Sequence, residues 1–135
     1  MENSCFNKGI IKRSVLVIAA SLFLYNCSGN KDDLHKALGG ETRPTLSPEY
    51  FFGKTAKAYK SAREIPHVLD QIYCYCHCQK NFGHKSLLTC YTDRHGADCG
   101  ICITEANKAY DLYRKGYKTD EIIMKVQADI AGRIR

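Results

Sequence analysis

Apolar positions recur at helical spacing from Phe52 onwards, after a polar stretch with little periodicity. Phe52, Ala56 and Tyr59 would share one face of a helix. Ser47 is a suitable N-cap for it, with a proline at the first helical position. The pattern therefore predicts a helix over about 48–61.

Two further helices are predicted towards the C-terminus. Asp98 is a good N-cap for a helix from 99 to about 115, which Gly116 would end in a left-handed conformation. Thr119 would cap the last helix, whose first turn carries two acidic residues that favour the positive end of the helix dipole. Its apolar stripe would comprise Ile123, Val126 or Gln127, Ile130 and Ile134.

The region between these helices is less regular. Residues 67–72, after Pro66, suit another turn or two of helix that leads directly into a cysteine cluster. Residues 79–98 have the glycine, asparagine, aspartate and histidine content of a loop. We therefore expect a mainly α fold: a small single domain over 47–135, with about three to four helices around a cysteine-rich loop.

The first 26 residues have the pattern of an export signal. A basic stretch ends at Lys12-Arg13 and precedes an apolar run too short to span a bilayer, which takes about 20 residues. Leu24-Tyr25-Asn26-Cys27 then resembles the lipobox of bacterial lipoproteins. This resemblance implies cleavage after residue 26, a lipid on Cys27, and an exported protein anchored to the membrane that faces the periplasm or the cell exterior. Residues 27–46 would form a flexible tether.

The net charge of +6 is partly a property of the export signal. In the rest of the chain, basic residues are scattered among acids and form no block interleaved with aromatic side chains. Such a distribution offers no track for a phosphate backbone. We therefore expect no nucleic-acid partner.

Candidate chemistry is concentrated in a triplet, Cys74, Cys76 and Cys78. On an extended segment these side chains would be spaced about 7 Å apart, and on a helix Cys76 would point nearly opposite to the other two. Either geometry places them poorly for pairing with each other, and three cysteines cannot all be oxidised among themselves. The triplet therefore needs distant partners, which are other thiols or a metal ion.

Suitable partners follow at Cys90, Cys99 and Cys102. Cys99 and Cys102 lie three residues apart at the start of a predicted helix, so both thiols can converge on one point. The helix dipole also raises the thiolate fraction there. Thiolate ligands favour copper(I) or zinc among the metals.

Histidine is the other ligand type in this region. His77 lies inside the triplet and is the strongest histidine candidate. His84 and His95 adjoin glycines in the loop and suit surface or capping roles equally well. His67 and His35 lie outside the cluster and are not expected to be ligands.

Two alternatives to metal binding remain open at this point. The same cysteines could serve a thiol–disulfide or peroxide-reducing protein that acts on a thiol partner protein, with Cys99, Cys102 or Cys76 as the reactive thiols. They could instead form three structural disulfides that join the triplet to the other three cysteines. Covalent haem attachment is excluded, because Ile103 and not histidine follows the CxxC motif. Whether the protein is an enzyme stays open.

The stretch from Ile65 to Gly116 is similar to the CYCXC family (seleno)proteins, which are related to exported PCYCGC-motif lipoproteins. Tyr73 stands where the PCYCGC form has proline, and His77 stands where it has glycine. Some relatives are named for selenocysteine at a cysteine position, which implies redox chemistry. The residues that carry the resemblance are Ile65-Pro66, Val68-Leu69, Tyr73-Cys74-Tyr75-Cys76-His77-Cys78, Gly83-His84-Lys85-Ser86-Leu87-Leu88, Cys90 and Cys99-Gly100-Ile101-Cys102.

The leading prediction is an exported lipoprotein that binds a soft metal ion, copper(I) or zinc, and handles metal outside the cytoplasm. The membrane, reached through lipidated Cys27, and the soft ion would be its partners. The predicted ligands are Cys74, Cys76, Cys78, Cys90, Cys99, Cys102 and His77.

Overall fold

A computed structural model describes residues 37–134 of the chain. The predicted signal peptide, the lipidation site at Cys27 and the first part of the predicted tether lie outside the described residues. Within residues 37–134 there are helices and turns but no strand, so the predicted mainly α fold is confirmed. The α-helices are α1 Gly53–Glu64, α2 Pro66–Leu69, α3 Cys78–Phe82, α4 Gly100–Arg114 and α5 Thr119–Ile134. Short 3₁₀ turns lie at Pro48–Tyr50, Leu88–Tyr91 and His95–Asp98.

The three longer helices form the framework of the domain. Helix α1 packs against α4, and α4 packs against α5. Ala58 and Ala62 of α1 and Ala106 and Ala109 of α4 are fully buried, and side chains this small let two helices approach closely. None of the helices in residues 37–134 is long and apolar enough to cross a membrane. This framework holds one end of α4 against the cysteine-rich segment.

The first helix begins later than its sequence pattern predicts. Pro48–Tyr50 forms a separate 3₁₀ turn, after which Phe51 and Phe52 are extended and Gly53 has a φ of 56°. The break lets the ring of Phe51 stack on Tyr59 at 3.9 Å between centroids. Aromatic packing in the core therefore outweighs continuation of the helix from the favourable proline start.

The two C-terminal helices occur where they are predicted, with small differences at their starts. Helix α4 begins at Gly100 and its N-cap is Cys99, not Asp98. Gly116 has the predicted left-handed conformation, with a φ of 85°. In α5 the buried stripe contains Ile122 in place of the predicted Ile123, followed by Val126 and Ile130.

Residues 38–46, here called the arm, lie against the domain although the sequence assigns them to the tether. The backbone N–H of Leu38 donates to Lys85 O at 2.7 Å, and the N–H of Leu46 donates to Tyr91 O at 2.9 Å. Between them, the N–H groups of Gly40 and Glu41 donate to the carboxylate of Asp70 at 2.7 and 3.2 Å. Specific hydrogen bonds thus order a segment whose composition alone is typical of a linker.

Candidate metal centre

All six cysteines of the described part of the chain are free thiols, and the fold gathers them at one end of α4. Cys74 and Cys76 lie in the irregular segment between α2 and α3, and Cys78 is the first residue of α3. Cys90 lies in the Leu88–Tyr91 turn, whereas Cys99 caps α4 and Cys102 lies in its first turn.

The thiols of the triplet contact each other, contrary to the expectation that they would be poorly placed to pair. The Sγ atoms of Cys74 and Cys76 are 3.1 Å apart, and those of Cys76 and Cys78 are 2.6 Å apart. Cys102 lies 3.4 Å from Cys74 and 3.5 Å from Cys76, again between Sγ atoms. Cys90 completes the group, with its Sγ 3.8 Å from that of Cys74.

His77 explains this geometry through its backbone conformation. It is neither extended nor helical but left-handed, with a φ of 62°, and it acts as the N-cap of α3. The triplet is therefore neither a continuous extended segment nor a continuous helix, because His77 interrupts both between Cys76 and Cys78. This interruption lets the chain fold back on itself. The side chain of His77 is exposed and belongs to none of the ligand groups among the described residues.

Two other histidines lie beside the thiols instead. His95 Nε2 is 3.0 Å from the Sγ of Cys78, and His84 Nδ1 is 3.2 Å from the Sγ of Cys90. Their rings pack edge to face at 4.7 Å between centroids, and both residues are half-buried. The sequence favoured His77 over these two, and the structure places them, not His77, against the cysteines.

Three sets of side chains have ligand atoms within 4.8 Å of one another and could hold a metal ion. The first contains four buried cysteines, and the second combines two of these with two histidines. The third is smaller, half-buried and shares one cysteine with the first. The sets are Cys74, Cys78, Cys90 and Cys102; Cys78, His84, Cys90 and His95; and Cys76, Cys99 and Cys102.

Glu105 is an unexpected member of this region. It lies on the buried face of α4, and its Oε1 accepts the backbone N–H of Tyr75 at 2.9 Å. Its Oε2 is buried without a hydrogen-bond partner among the described residues. Burial raises the pKa of Glu105 to about 8, so the carboxyl is mainly protonated at neutral pH. It therefore fixes the triplet backbone without adding a full negative charge.

The crowded thiols influence each other's ionisation. Contact with the thiol of Cys102, and next with that of Cys74, lowers the pKa of Cys76 well below its ordinary value. Burial, together with the contact with the Cys76 sulfur, raises the pKa of Cys78 to about 12. Contact with neighbouring thiols therefore favours the thiolate form at Cys76 and, together with burial, disfavours it at Cys78.

Tight packing holds the two 3₁₀ turns that carry Cys90 and His95. The Tyr91 hydroxyl donates to Cys102 O at 2.6 Å, which fixes the first of these turns to α4. A Cβ on Gly96 would approach Cys90 O to 2.8 Å and the Tyr91 ring to 3.0 Å. The absence of a side chain at Gly96 therefore allows the close contact between the turns.

Signals for the missed residues do exist in the sequence. His84 follows Gly83 and His95 precedes Gly96, and both glycines are used structurally, the first with a φ of 69°. Glu105 is an acidic residue on the face that also carries Cys102 and Ala109. A charged residue on a buried stripe is the kind of exception that indicates a specific role.

Comparison with known proteins gives a family but no homologue of known structure. No curated protein matches the chain, and no solved structure matches it. The family described as "Protein of unknown function with PCYCGC motif" matches residues 25–130, which include the triplet and every residue of the three ligand sets. The chain therefore belongs to the family of proteins with a PCYCGC motif.

Proposed function

We propose that this protein binds a soft metal ion, copper(I) or zinc, through cysteine thiolates and serves in metal handling outside the cytoplasm. The observation that carries the proposal is the set of four buried cysteines, Cys74, Cys78, Cys90 and Cys102. They come from separate elements and converge on one point, whereas cysteines that act only as small apolar side chains have no need to bring their sulfur atoms together.

The spacing of the sulfurs suits an ion of this class. A tetrahedral zinc site with Zn–S bonds of about 2.3 Å has sulfurs about 3.8 Å apart. The Sγ atom of Cys74 lies 3.8 Å from that of Cys90 and 3.4 Å from that of Cys102. Small side-chain rotations would therefore create the coordination geometry, and binding would release the thiol protons.

The extracytoplasmic role rests on the sequence of the N-terminal region. A lipid on Cys27 would hold the domain at the membrane surface, where soft ions cross between compartments. Free thiols in an oxidising compartment are vulnerable to disulfide formation, and a bound ion would protect them. Export and metal binding thus support one role, the capture or transfer of metal at the membrane.

Metal analysis of the purified protein tests the proposal. The full-length chain would carry Cys5→Ser and Cys27→Ser, so that only the six clustered cysteines contribute thiols, and would be purified without oxygen. We expect at least one copper(I) or zinc ion per chain, retained or loaded, and a large loss of affinity in Cys74→Ser. His67→Ala, a change at an exposed residue away from the cluster, is the matched control. If neither ion binds stoichiometrically, the proposal fails.

A redox function is the second candidate, and Cys76 favours it. Its thiol is half-buried, has a lowered pKa and lies 3.5 Å from the Sγ of Cys102 and 2.6 Å from that of Cys78. A reactive thiolate beside a second thiol is the arrangement of a dithiol couple. Equilibration in glutathione buffers would then show a reversible disulfide that Cys76→Ser removes and Cys99→Ser leaves in place. A reduced protein that stays reduced throughout would exclude this function.

A further inference from the structure

Two of the ligand sets share a pair of cysteines. Cys78 and Cys90 belong both to the four-cysteine set and to the set that contains His84 and His95. Each shared cysteine also contacts a histidine directly, at 3.0 Å for Cys78 with His95 and at 3.2 Å for Cys90 with His84. The two shared thiols are therefore common to a set with only sulfur ligands and a set with both sulfur and nitrogen ligands.

A single ion cannot use all of these ligands. Soft ions in proteins take up to four ligands, whereas the two sets together offer six, namely four thiols and two imidazoles. A thiolate sulfur has more than one lone pair, so it can bind two soft ions at once. Two four-ligand pockets that share two thiolates therefore have the composition of a centre with two ions.

We propose that the site is a two-ion centre in which the thiolates of Cys78 and Cys90 bridge the ions. The inner ion is bound by Cys74 and Cys102 in addition to the bridges, and the outer ion is bound by His84 and His95. This inference rests on the proposed soft-metal function and adds the number of ions and the role of each ligand.

Burial distinguishes the two positions. Cys74 is 2% exposed and Cys102 is fully buried, so the inner ion is enclosed by protein. The two histidines are half-buried, and next to them Phe82 is 64% exposed, with its ring 4.9 Å from that of His95 and 6.0 Å from that of His84. The outer ion therefore lies near solvent behind one exposed aromatic ring, and it is the ion that exchanges with a donor or an acceptor.

Ion counting with a matched pair of variants tests the two-ion centre. The full-length chain with Cys5→Ser and Cys27→Ser would be loaded anaerobically with copper(I) and, separately, with zinc. We expect at least two ions per chain, of which a competing chelator removes one faster than the other. The double variant His84→Ala, His95→Ala should hold one ion fewer and lack the fast phase. His77→Asn, which replaces the exposed histidine of the same segment by a residue that tolerates its left-handed backbone, should retain the full number and both phases.

The outcomes separate this inference from the proposed function. If the parent chain binds no ion stoichiometrically, metal binding itself is contradicted. If it binds a single ion through sulfur alone, only the two-ion centre is contradicted. An unchanged ion count in the double histidine variant also contradicts it. X-ray absorption of the loaded parent chain needs no variant: it should show a short metal–metal scattering path and nitrogen ligands, and the lack of either overturns the proposal.

Discussion

Glu105 shows how one residue can link the core to the thiol cluster. A carboxyl group buried on α4 holds the backbone of Tyr75, and the Cys74 thiol lies beside it. In a solvent-exposed position the same acid would be ionised at neutral pH, but burial keeps it mainly neutral here. The protein therefore obtains a hydrogen-bond acceptor close to several thiols without adding another charge to them.

Replacement of this acid by its neutral analogue should stabilise the metal-free protein at alkaline pH. The pKa of Glu105 rises from 4.5 to about 8 on folding, so its contribution to stability is fully present below pH 4.5 and is lost as pH rises through about 8. Glu105→Gln keeps a side-chain oxygen that can accept the N–H of Tyr75, and because glutamine does not ionise, the variant does not lose stability as the pH rises. We expect the free energy of unfolding of the reduced variant to be higher than that of the wild type by a few kcal/mol at pH 8.5, since each pKa unit corresponds to about 1.4 kcal/mol.

Urea unfolding at pH 4.5 and pH 8.5 would measure this effect, with Glu49→Gln, at an exposed position, as the control. The gain in unfolding free energy from Glu105→Gln should be much larger at pH 8.5 than at pH 4.5. An equal difference at both pH values would show that the carboxyl is not neutral in the folded protein.

At the residue scale, the six predicted cysteines lie close to one another, whereas the predicted histidine, His77, does not lie with them. Spacing alone indicates that the triplet needs Cys90 and the CxxC pair, and all six thiols do lie in the ligand sets. The choice of His77 depended on its position in the triplet, whereas its left-handed backbone orients the side chain to solvent. Backbone conformation at a single non-glycine residue is not encoded in any short-range pattern.

Among the structural elements, the two short 3₁₀ turns matter most for the site. The turn His95–Asp98 contacts the turn Leu88–Tyr91, so that His95 and Cys90 lie in the same ligand set. Neither turn has a periodic signal, and the sequence indicates only a loop over 79–98. The long helices that the sequence predicts supply the framework, and the two turns that it does not predict carry two of the candidate ligands, Cys90 and His95.

Gly96→Ala should disturb this contact between turns. The added Cβ would lie 2.8 Å from the carbonyl oxygen of Cys90, which is backbone and cannot rotate away. We expect a loss of about 1–3 kcal/mol in unfolding free energy, as for other overpacked sites, and weaker binding at the histidine side. Gly100→Ala is the matched control, because a Cβ there meets nothing within 4 Å. Equal urea midpoints for the two variants would contradict this account.

The arm offers a second test at the scale of elements. Asp70 accepts hydrogen bonds from the backbone N–H groups of Gly40 and Glu41 and from the Ser86 hydroxyl. Asp70→Ala should therefore release the middle of the arm and speed hydrogen exchange at those two amides by at least tenfold. Asp111→Ala removes an exposed ion pair with Lys57 and should leave the arm unchanged. Arm amides that exchange equally slowly in both variants would show that other contacts hold it.

For the whole molecule, the cluster joins parts of the chain that are distant in sequence. Tyr75 and Glu105 are 30 residues apart, and Cys78 and His95 are 17 apart. Such contacts depend on how the helices pack, which explains why the sequence predicts the fold class and groups the six cysteines but does not indicate which histidines lie beside them. A small domain with few core residues gains much from any ligand that ties these segments together.

Metal binding should therefore raise the thermal stability of the reduced protein. A ligand at 1,000 times its Kd contributes about 4.1 kcal/mol, which corresponds to a Tm increase on the order of 10 °C or more for a domain of this size. Differential scanning calorimetry with copper(I) or zinc would measure the shift, and Cys90→Ser should largely abolish it. Magnesium, a hard ion, serves as the control. A similar shift with magnesium would indicate a non-specific effect.

The arm has a mechanical consequence if the domain is anchored through Cys27, as proposed above. Its first and last backbone hydrogen bonds go to Lys85 and Tyr91, and these two residues directly follow His84 and Cys90, respectively. Tension on the chain ahead of Leu38 would act first on Lys85, whose carbonyl oxygen accepts the hydrogen bonds of Leu38 and Gly39. If the proposed lipid on Cys27 anchors the protein, a pull from that anchor would reach His84 through its neighbour Lys85, and the distance of the domain from the membrane would alter how tightly the proposed outer ion is held.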